Sequence, residues 1–222
     1  MTLVCSGTYR NKFETNYKFI LDIKTLDIFK RVMKSDHTAS KFKNNHRAND
    51  NFLKSNSIML DFDNEALPID EFNNKYKDIE YYLATSKSHN KEKSGKIEPR
   101  YHIYLPIPMI ESKEKYSLMI KATQIYFETA DEACKDVSRF FYGNKESQCL
   151  YNNGKCILYF ILGIYQNLKK KKETQNVKYE YQALSNYDVG YNDYTYYINK
   201  VLMNEDKSVG NRNNLLTKLA GC

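Results

Sequence analysis

No stretch of this chain stays apolar for the roughly 20 residues that a membrane-spanning helix needs. The first residues, Met1-Thr-Leu-Val-Cys-Ser-Gly7, are too few and too polar for a secretory signal peptide. These two absences predict an intracellular protein that does not engage a membrane. Cysteine is sparse and unpatterned. Cys5, Cys134, Cys149, Cys156 and Cys222 are odd in number and include no Cys-x-x-Cys pair, which argues against a disulfide framework. Cys149 and Cys156 flank a turn, but zinc there would need two further ligands that the sequence does not place. Arginine is scarce too: of 34 basic residues only six are Arg. Lys, Asn, Tyr and Ile are abundant, the bias an AT-rich gene imposes. The rare arginines gain interest for that reason, because a guanidinium fork is hard to replace where phosphate is gripped. Four of them, Arg47, Arg100, Arg139 and Arg212, fall in the segments discussed below.

What is present is ordinary for a folded domain. The 222 residues are 41% hydrophobic and 27% charged, enough for one domain with a real core and an appendage. The net charge of +7 suits a polyanionic partner. Apolar periodicity predicts helices over 25–34, 68–77 and 111–131. Strands are expected over 57–62, 79–85, 100–107 and 138–142. Residues 35–56 read as loop with a short helix, and 86–98 as a charged loop. Asn152-Asn-Gly154 predicts a hairpin turn between strands at 148–151 and 155–162. The Lys169–Lys172 run reads as linker or exposed loop, 179–197 as a Tyr-rich stretch, and 195–204 and 211–220 as helical. The order strand, helix, strand, strand, helix, strand, hairpin gives an α+β fold around a mixed or antiparallel sheet.

Three segments carry the chemistry. Ser57-Ile-Met-Leu-Asp-Phe-Asp-Asn64 is an apolar strand ending in Asp-x-Asp, which sends Asp61 and Asp63 to one face. Two carboxylates on one face repel unless a cation sits between them, and hard divalent ions do that while also holding phosphates. A calcium loop fits poorly, since Ala66 stands where the turn needs Gly and Phe72 where the bidentate Glu belongs. Pro99-Arg-Tyr-His-Ile-Tyr-Leu-Pro106 puts His102 on a strand face shared with Arg100 and Tyr104. Lys135-Asp-Val-Ser-Arg-Phe-Phe-Tyr-Gly143 adds Asp136 and Arg139, with Asp131 and Glu132 as rival carboxylates. A rolling-circle nickase would need two histidines two residues apart, and His102-Ile-Tyr104 lacks one.

Taken in order, these segments resemble the archaeo-eukaryotic primase superfamily, in its primase-polymerase branch carried by phages, plasmids and mobile elements. Leu60-Asp-Phe-Asp63 is similar to the family's Asp-x-Asp strand, Arg100–Pro106 to its His strand, and Asp136–Gly143 to its third acidic element. Residues 36–52 resemble the lead-in of such proteins, and 210–220 the start of their C-terminal helical accessory domain. The resemblance implies a primase-like core with an RRM-like sheet and an N-terminal α/β unit over 1–204, followed by a truncated helical domain over 205–222. It implies template-directed nucleotide joining with Mg²⁺ or Mn²⁺, with Asp61, Asp63 and Asp136 holding metal. His102, aided by Ser88, Arg139 and Arg47, would contact the nucleoside triphosphate. Ser86-Lys-Ser-His89 makes His89 a rival to His102. Single-stranded DNA would be the template. The setting would be the cytoplasm of a bacterium or phage-infected cell, and the Lys169–Lys172 run and the 179–197 tyrosines are candidates to bind the strand. The sequence stops inside an incipient helix too short to bury itself, which predicts a longer polypeptide. A helicase is expected in cis or in trans, though no Gly-x-x-x-x-Gly-Lys-Ser/Thr loop is encoded here. A metal-dependent nuclease or phosphoesterase using the same carboxylates, and a DNA-binding replication-initiation module that does not need them, stand as alternatives.

Overall fold

The computed structural model describes residues 1–93 and 95–173. The expectations for 179–197, 195–204, 205–222 and Arg212 lie outside the described residues. By compactness the chain divides into Met1–Ile157 and Leu158–Cys222. Among the described residues no helix is long and apolar enough to cross a membrane.

The first unit is α+β. Its strands are β1 (Thr2–Cys5), β2 (Phe19–Asp22), β3 (His37–Thr38), β4 (Ser40–Phe42), β5 (Phe52–Phe62), β6 (Tyr81–Thr85), β7 (Glu92–Lys93), β8 (Lys96–Ile97), β9 (Tyr101–Ile110), β10 (Phe140–Phe141) and β11 (Cys149–Asn152). The helices are α1 (Leu26–Val32), α2 (Ile69–Lys75) and α3 (Lys113–Phe127). A five-stranded sheet runs β11-β6-β9-β5-β4, a four-stranded sheet runs β10-β3-β1-β2, and β7 and β8 form a small ribbon. All pairings between these strands are antiparallel.

The five-stranded sheet is apolar on both faces, as its near-continuous hydrophobic runs require. On one face Phe62 and Tyr101 stack at 5.3 Å and meet Phe72 of α2, while Phe127 of α3 closes on Phe72 at 6.0 Å. On the other face lie Met59, Tyr104 and Tyr82, paired across β5, β9 and β6. There Phe29 of α1 contacts Tyr82 at 4.9 Å and Tyr104 at 5.0 Å. Thr25 caps α1 by accepting the N–H of Ile28. The four-stranded sheet adjoins this second face through His37, whose ring lies 5.6 Å from that of Tyr104. The chain passes from one sheet to the other at Ala39, between β3 and β4.

Three local readings change. The short β3 and β4 stand where the sequence reads as loop, and β1 and β2 stand where it assigns no element. The expected hairpin at Asn152-Asn-Gly154 does not form. Instead a Cβ on Gly154 would lie 2.5 Å from the Ile79 carbonyl carbon. That close approach lets Lys155 exchange backbone hydrogen bonds with Asp78 and Glu80, both at 2.8 Å, before the chain turns helical. In the second unit, helix α4 (Leu158–Glu173) takes up the Lys169–Lys172 run, so the run is not a loop. Leu158, Ile161, Leu162 and Tyr165 are buried at helical spacing, the i, i+3, i+4, i+7 pattern that overrides the apolar run's strand-like appearance.

Candidate active site

The acidic strand end and the His strand meet by register. Asp61 on β5 pairs with His102 on β9, which pairs with Ala84 on β6. His102 Nε2 lies 3.3 Å from Asp61 Oδ1. Phe141 of β10 stacks on the imidazole, with centroids 4.0 Å apart and planes at 13°. The His102 ring is therefore held on one side by a carboxylate and on one face by an aromatic ring.

Asp61 is anchored from behind. Its N–H donates to Cys134 Sγ at 3.3 Å, and its carbonyl accepts the N–H of Asp131 at 2.8 Å. Arg139 places one guanidinium nitrogen 3.9 Å from Asp61 Oδ2 and 4.0 Å from Asp131 Oδ2. Burial alone would raise the Asp61 carboxyl. The charge and hydrogen bond of His102, then Arg139 and Lys93, outweigh it and hold the group below the usual carboxylate range. Asp61 is thus an anion at neutral pH, suited to bind a cation and not to donate a proton. The same environment pushes the Cys134 thiol up to about 12, burial first and the Asp61 charge next, so that sulfur stays a neutral partner.

Asp63 ends the strand two residues on. Arg100 Nε lies 3.0 Å from its Oδ1, and the Lys93 ammonium contacts its other oxygen. Arg100 itself is only 2% exposed. Its guanidinium donates to the carbonyls of Asp63, Ser88, Lys91 and Lys96 at 3.2, 3.1, 2.9 and 3.4 Å. Arg100 is therefore consumed in tying the 86–98 segment to the acidic strand end, not free to grip phosphate beside His102.

Together these side chains line a cleft of about 680 Å³. Asp61, Asp63, His102, Ser88 and Arg139 all border it, as do Arg10, Lys87, Lys91 and Lys93, cations that the sequence reading did not assign. Two expected residues lie elsewhere. Asp136 turns its carboxylate onto its own loop, accepting from the N–H and hydroxyl of Ser138 at 3.1 and 3.2 Å, an Asx-type turn. Asp131, the rival carboxylate, is the one brought to Asp61. Arg47 donates to the carbonyl of Ser138 at 3.1 Å and stacks over Phe140 at 4.3 Å. With Thr38 Oγ1 on the Arg139 carbonyl and Ser40 Oγ on that of Val137, Arg47 completes a grip on three successive carbonyls that aims Arg139. His89 is likewise spent: its Nδ1 accepts the Arg100 N–H at 3.0 Å, and it does not border the cleft.

His37 forms part of the cleft floor. A carbonyl cannot donate, so its Nδ1 donates to Ser35 O at 2.8 Å, and its Nε2 accepts the Tyr104 hydroxyl at 2.7 Å. Burial lowers its pKa to about 4, partly opposed by the Ser35 bond. The folded chain thus keeps the ring neutral while the unfolded chain protonates it near pH 6.5. Stability held above that value is lost as pH falls towards 4, by roughly 3 kcal/mol at about 1.4 kcal/mol per unit. In urea unfolding between pH 7 and 4, the wild-type chain should lose about that much more stability than His37→Gln. Equal losses would contradict the assignment.

Asp61 and Asp63 offer hard oxygen donors at the edge of a cleft wide enough for a polyphosphate. Among the described residues no group of three or more His, Cys, Asp or Glu side chains is arranged to hold a metal by itself. That set suits Mg²⁺ or Mn²⁺, because Mg²⁺ is commonly held by one or two carboxylates together with substrate phosphates and water. Comparison of the chain with protein-family models, with curated proteins and with solved structures finds no match.

Proposed function

We propose that the Met1–Ile157 unit is the catalytic core of a metal-dependent, template-directed nucleotidyltransferase of the primase-polymerase kind. The observation that carries this reading is the placement of Asp61 and Asp63 beside a wall of basic side chains, Arg139, Lys91, Lys87 and Arg10, around one cleft. Paired carboxylates alone would repel a triphosphate, and basic residues alone would only bind it. Both in one cleft serve a cation-bridged polyphosphate.

In this reading Asp61 and Asp63 hold Mg²⁺ or Mn²⁺, with Asp131, which shares Arg139 with Asp61, as a further carboxylate. The ion supplies charge neutralisation at the phosphates and a lowered pKa for an attacking hydroxyl. The chain's own groups do the rest. Arg139 and the cleft lysines bind the triphosphate oxygens. His102, fixed by Asp61 and Phe141, offers a hydrogen bond to the same anion. The template would be single-stranded DNA, and a helicase in cis or in trans would expose it.

The sheet supports the family likeness in part. Apart from the β7–β8 ribbon inserted before β9, β5, α2, β6, β9 and α3 follow one another as in an RRM-type unit, with β9 between β5 and β6 in the sheet. In an RRM the fourth strand lies beside the first, whereas here β11 joins β6 and β4 occupies the edge of β5. The primase-like core is therefore proposed on the site and on three strands, not on the full strand order.

The test is incubation of the full chain with primed and unprimed single-stranded DNA, dNTPs or NTPs, and Mn²⁺. Extended products are expected. Shortened template without extension would favour the nuclease reading, and neither product would favour a binding module. His102→Ala should weaken triphosphate binding about tenfold to a hundredfold, the range for a hydrogen bond to a charged group. His89→Ala should instead loosen the 86–98 segment, seen as faster amide exchange, with nucleotide affinity nearly unchanged. The reverse ranking would transfer the role to His89.

A further inference from the structure

At the mouth of the cleft, aromatic rings and cations alternate on the surface. Arg10 stands over the Tyr142 ring at 5.0 Å, Lys145 over Tyr9 at 4.7 Å, and Lys12 over Phe13 at 5.0 Å. These rings are not core. Phe13 is 81% exposed, Tyr9 41% and Tyr142 37%. Arg10 and Tyr142 also border the cleft, so the patch runs directly into it.

The patch is built from two distant segments by one buried carboxylate. Asp36 Oδ1 accepts the N–H of Arg10 at 2.7 Å and that of Gly143 at 2.8 Å, and Oδ2 accepts the N–H of Asn11 at 2.8 Å. Arg10 adopts φ +55°, a left-handed conformation unusual for a residue with a side chain, which its bond to Asp36 holds. Gly143 is needed at the junction, because a Cβ there would lie 2.7 Å from the Lys34 carbonyl oxygen. The backbone that carries these rings is thus held in place, and exposed apolar groups gathered into one patch mark contact sites.

We infer that residues 9–13 and 142–145 form a stacking platform for single-stranded DNA that leads the strand into the cleft. A single strand offers base faces and phosphates in alternation, matching rings and cations in alternation. A duplex hides its base faces in its own stack and cannot use the rings. The inference rests on the nucleotidyl-transfer reading only for where the strand goes, not for whether it binds.

The test is fluorescence anisotropy with a labelled oligothymidylate of about 20 nucleotides, at low salt and without divalent metal, so that catalysis plays no part. Tyr9→Ala and Tyr142→Ala should each weaken binding about tenfold. Lys145→Gln should reduce the salt dependence by about 0.7 in log–log slope. Because no divalent metal is present, the result does not depend on the carboxylates that the catalytic reading gives to the ion, which separates it from failure of that reading. The unmutated chain, photocrosslinked to 5-iodouracil oligonucleotides, should label within 9–13 or 142–145. Ring variants that melt as the wild type and bind equally well, labelling confined to other segments, or preference for duplex DNA would each overturn the platform.

Discussion

Replacing Asp63 with Asn should lower metal-dependent nucleotide incorporation about a thousandfold, while single-strand binding stays within about twofold. The charge arithmetic makes this a sharp test. Asp63 already answers two cations, Arg100 and Lys93. Neutralising it leaves the cleft more positive, so binding of polyphosphate and of DNA should hold or rise by simple electrostatics. A fall in rate then reports lost cation binding, not lost substrate binding. Asp61→Asn should act in the same direction, with a further disturbance of His102, whose Nε2 it faces at 3.3 Å. Asp136→Asn supplies the internal comparison. Its Oδ1 accepts both bonds from Ser138, and an Asn amide oxygen accepts them equally, so this change should leave stability within about 0.5 kcal/mol and cost only a few-fold in rate. Incorporation that survives in Asp63→Asn, or that dies equally in Asp136→Asn, would remove the site as described.

The largest effect on stability is expected at Asp36. Truncation to Ala would strand the N–H groups of Arg10, Asn11 and Gly143 that its two oxygens accept. Asp36 is fully buried, and each stranded donor costs about 1–3 kcal/mol. A loss of roughly 4 kcal/mol follows, large against the 5–15 kcal/mol typical of a domain. Asp36→Asn keeps one acceptor oxygen and should fall between. The denaturant midpoint is the measurement, with the slope as a check that the unfolding unit is unchanged. A loss under about 1 kcal/mol would mean that water replaces the carboxylate at all three donors. Because Asp36 joins the 9–13 and 142–145 segments, partial unfolding in the Ala variant should begin there.

The parts of the site that a sequence displays are those with local periodicity. Asp61 and Asp63 stand out because strand alternation fixes their common face. His102 could be ranked above His89 because it lies inside an alternating strand, and register then sets it beside Asp61. The cations of the wall were hidden for the opposite reason. Arg10 reaches the cleft only through Asp36, 26 residues away, and nothing near it in sequence marks that link. Arg100 reads as a phosphate ligand on composition, but three backbone carbonyls of the 86–98 segment and that of Asp63 claim it. Asp136 and Asp131 are indistinguishable by spacing. The hydroxyl of Ser138 captures the first, and the Asp61 carbonyl fixes the backbone of the second. In the fold, β1 and β2 escaped because β2 is largely exposed and shows no buried alternation, and Asn152-Asn-Gly154 misled because the close packing of Gly154 on Ile79 overrides its turn propensity.

The crossing between the two sheets at Ala39 has a bearing on how the protein is made. Thr38 and Ser40 reach carbonyls 101 and 97 residues further along the chain. During synthesis the acidic strand end therefore leaves the ribosome long before the arginine that faces it. Contacts this distant close slowly, since the intervening chain must first be ordered. A nascent chain lacking the residues after 137 would hold its carboxylates with neither Arg139 nor the Phe141 cover on His102, so the cleft is completed only when that segment docks.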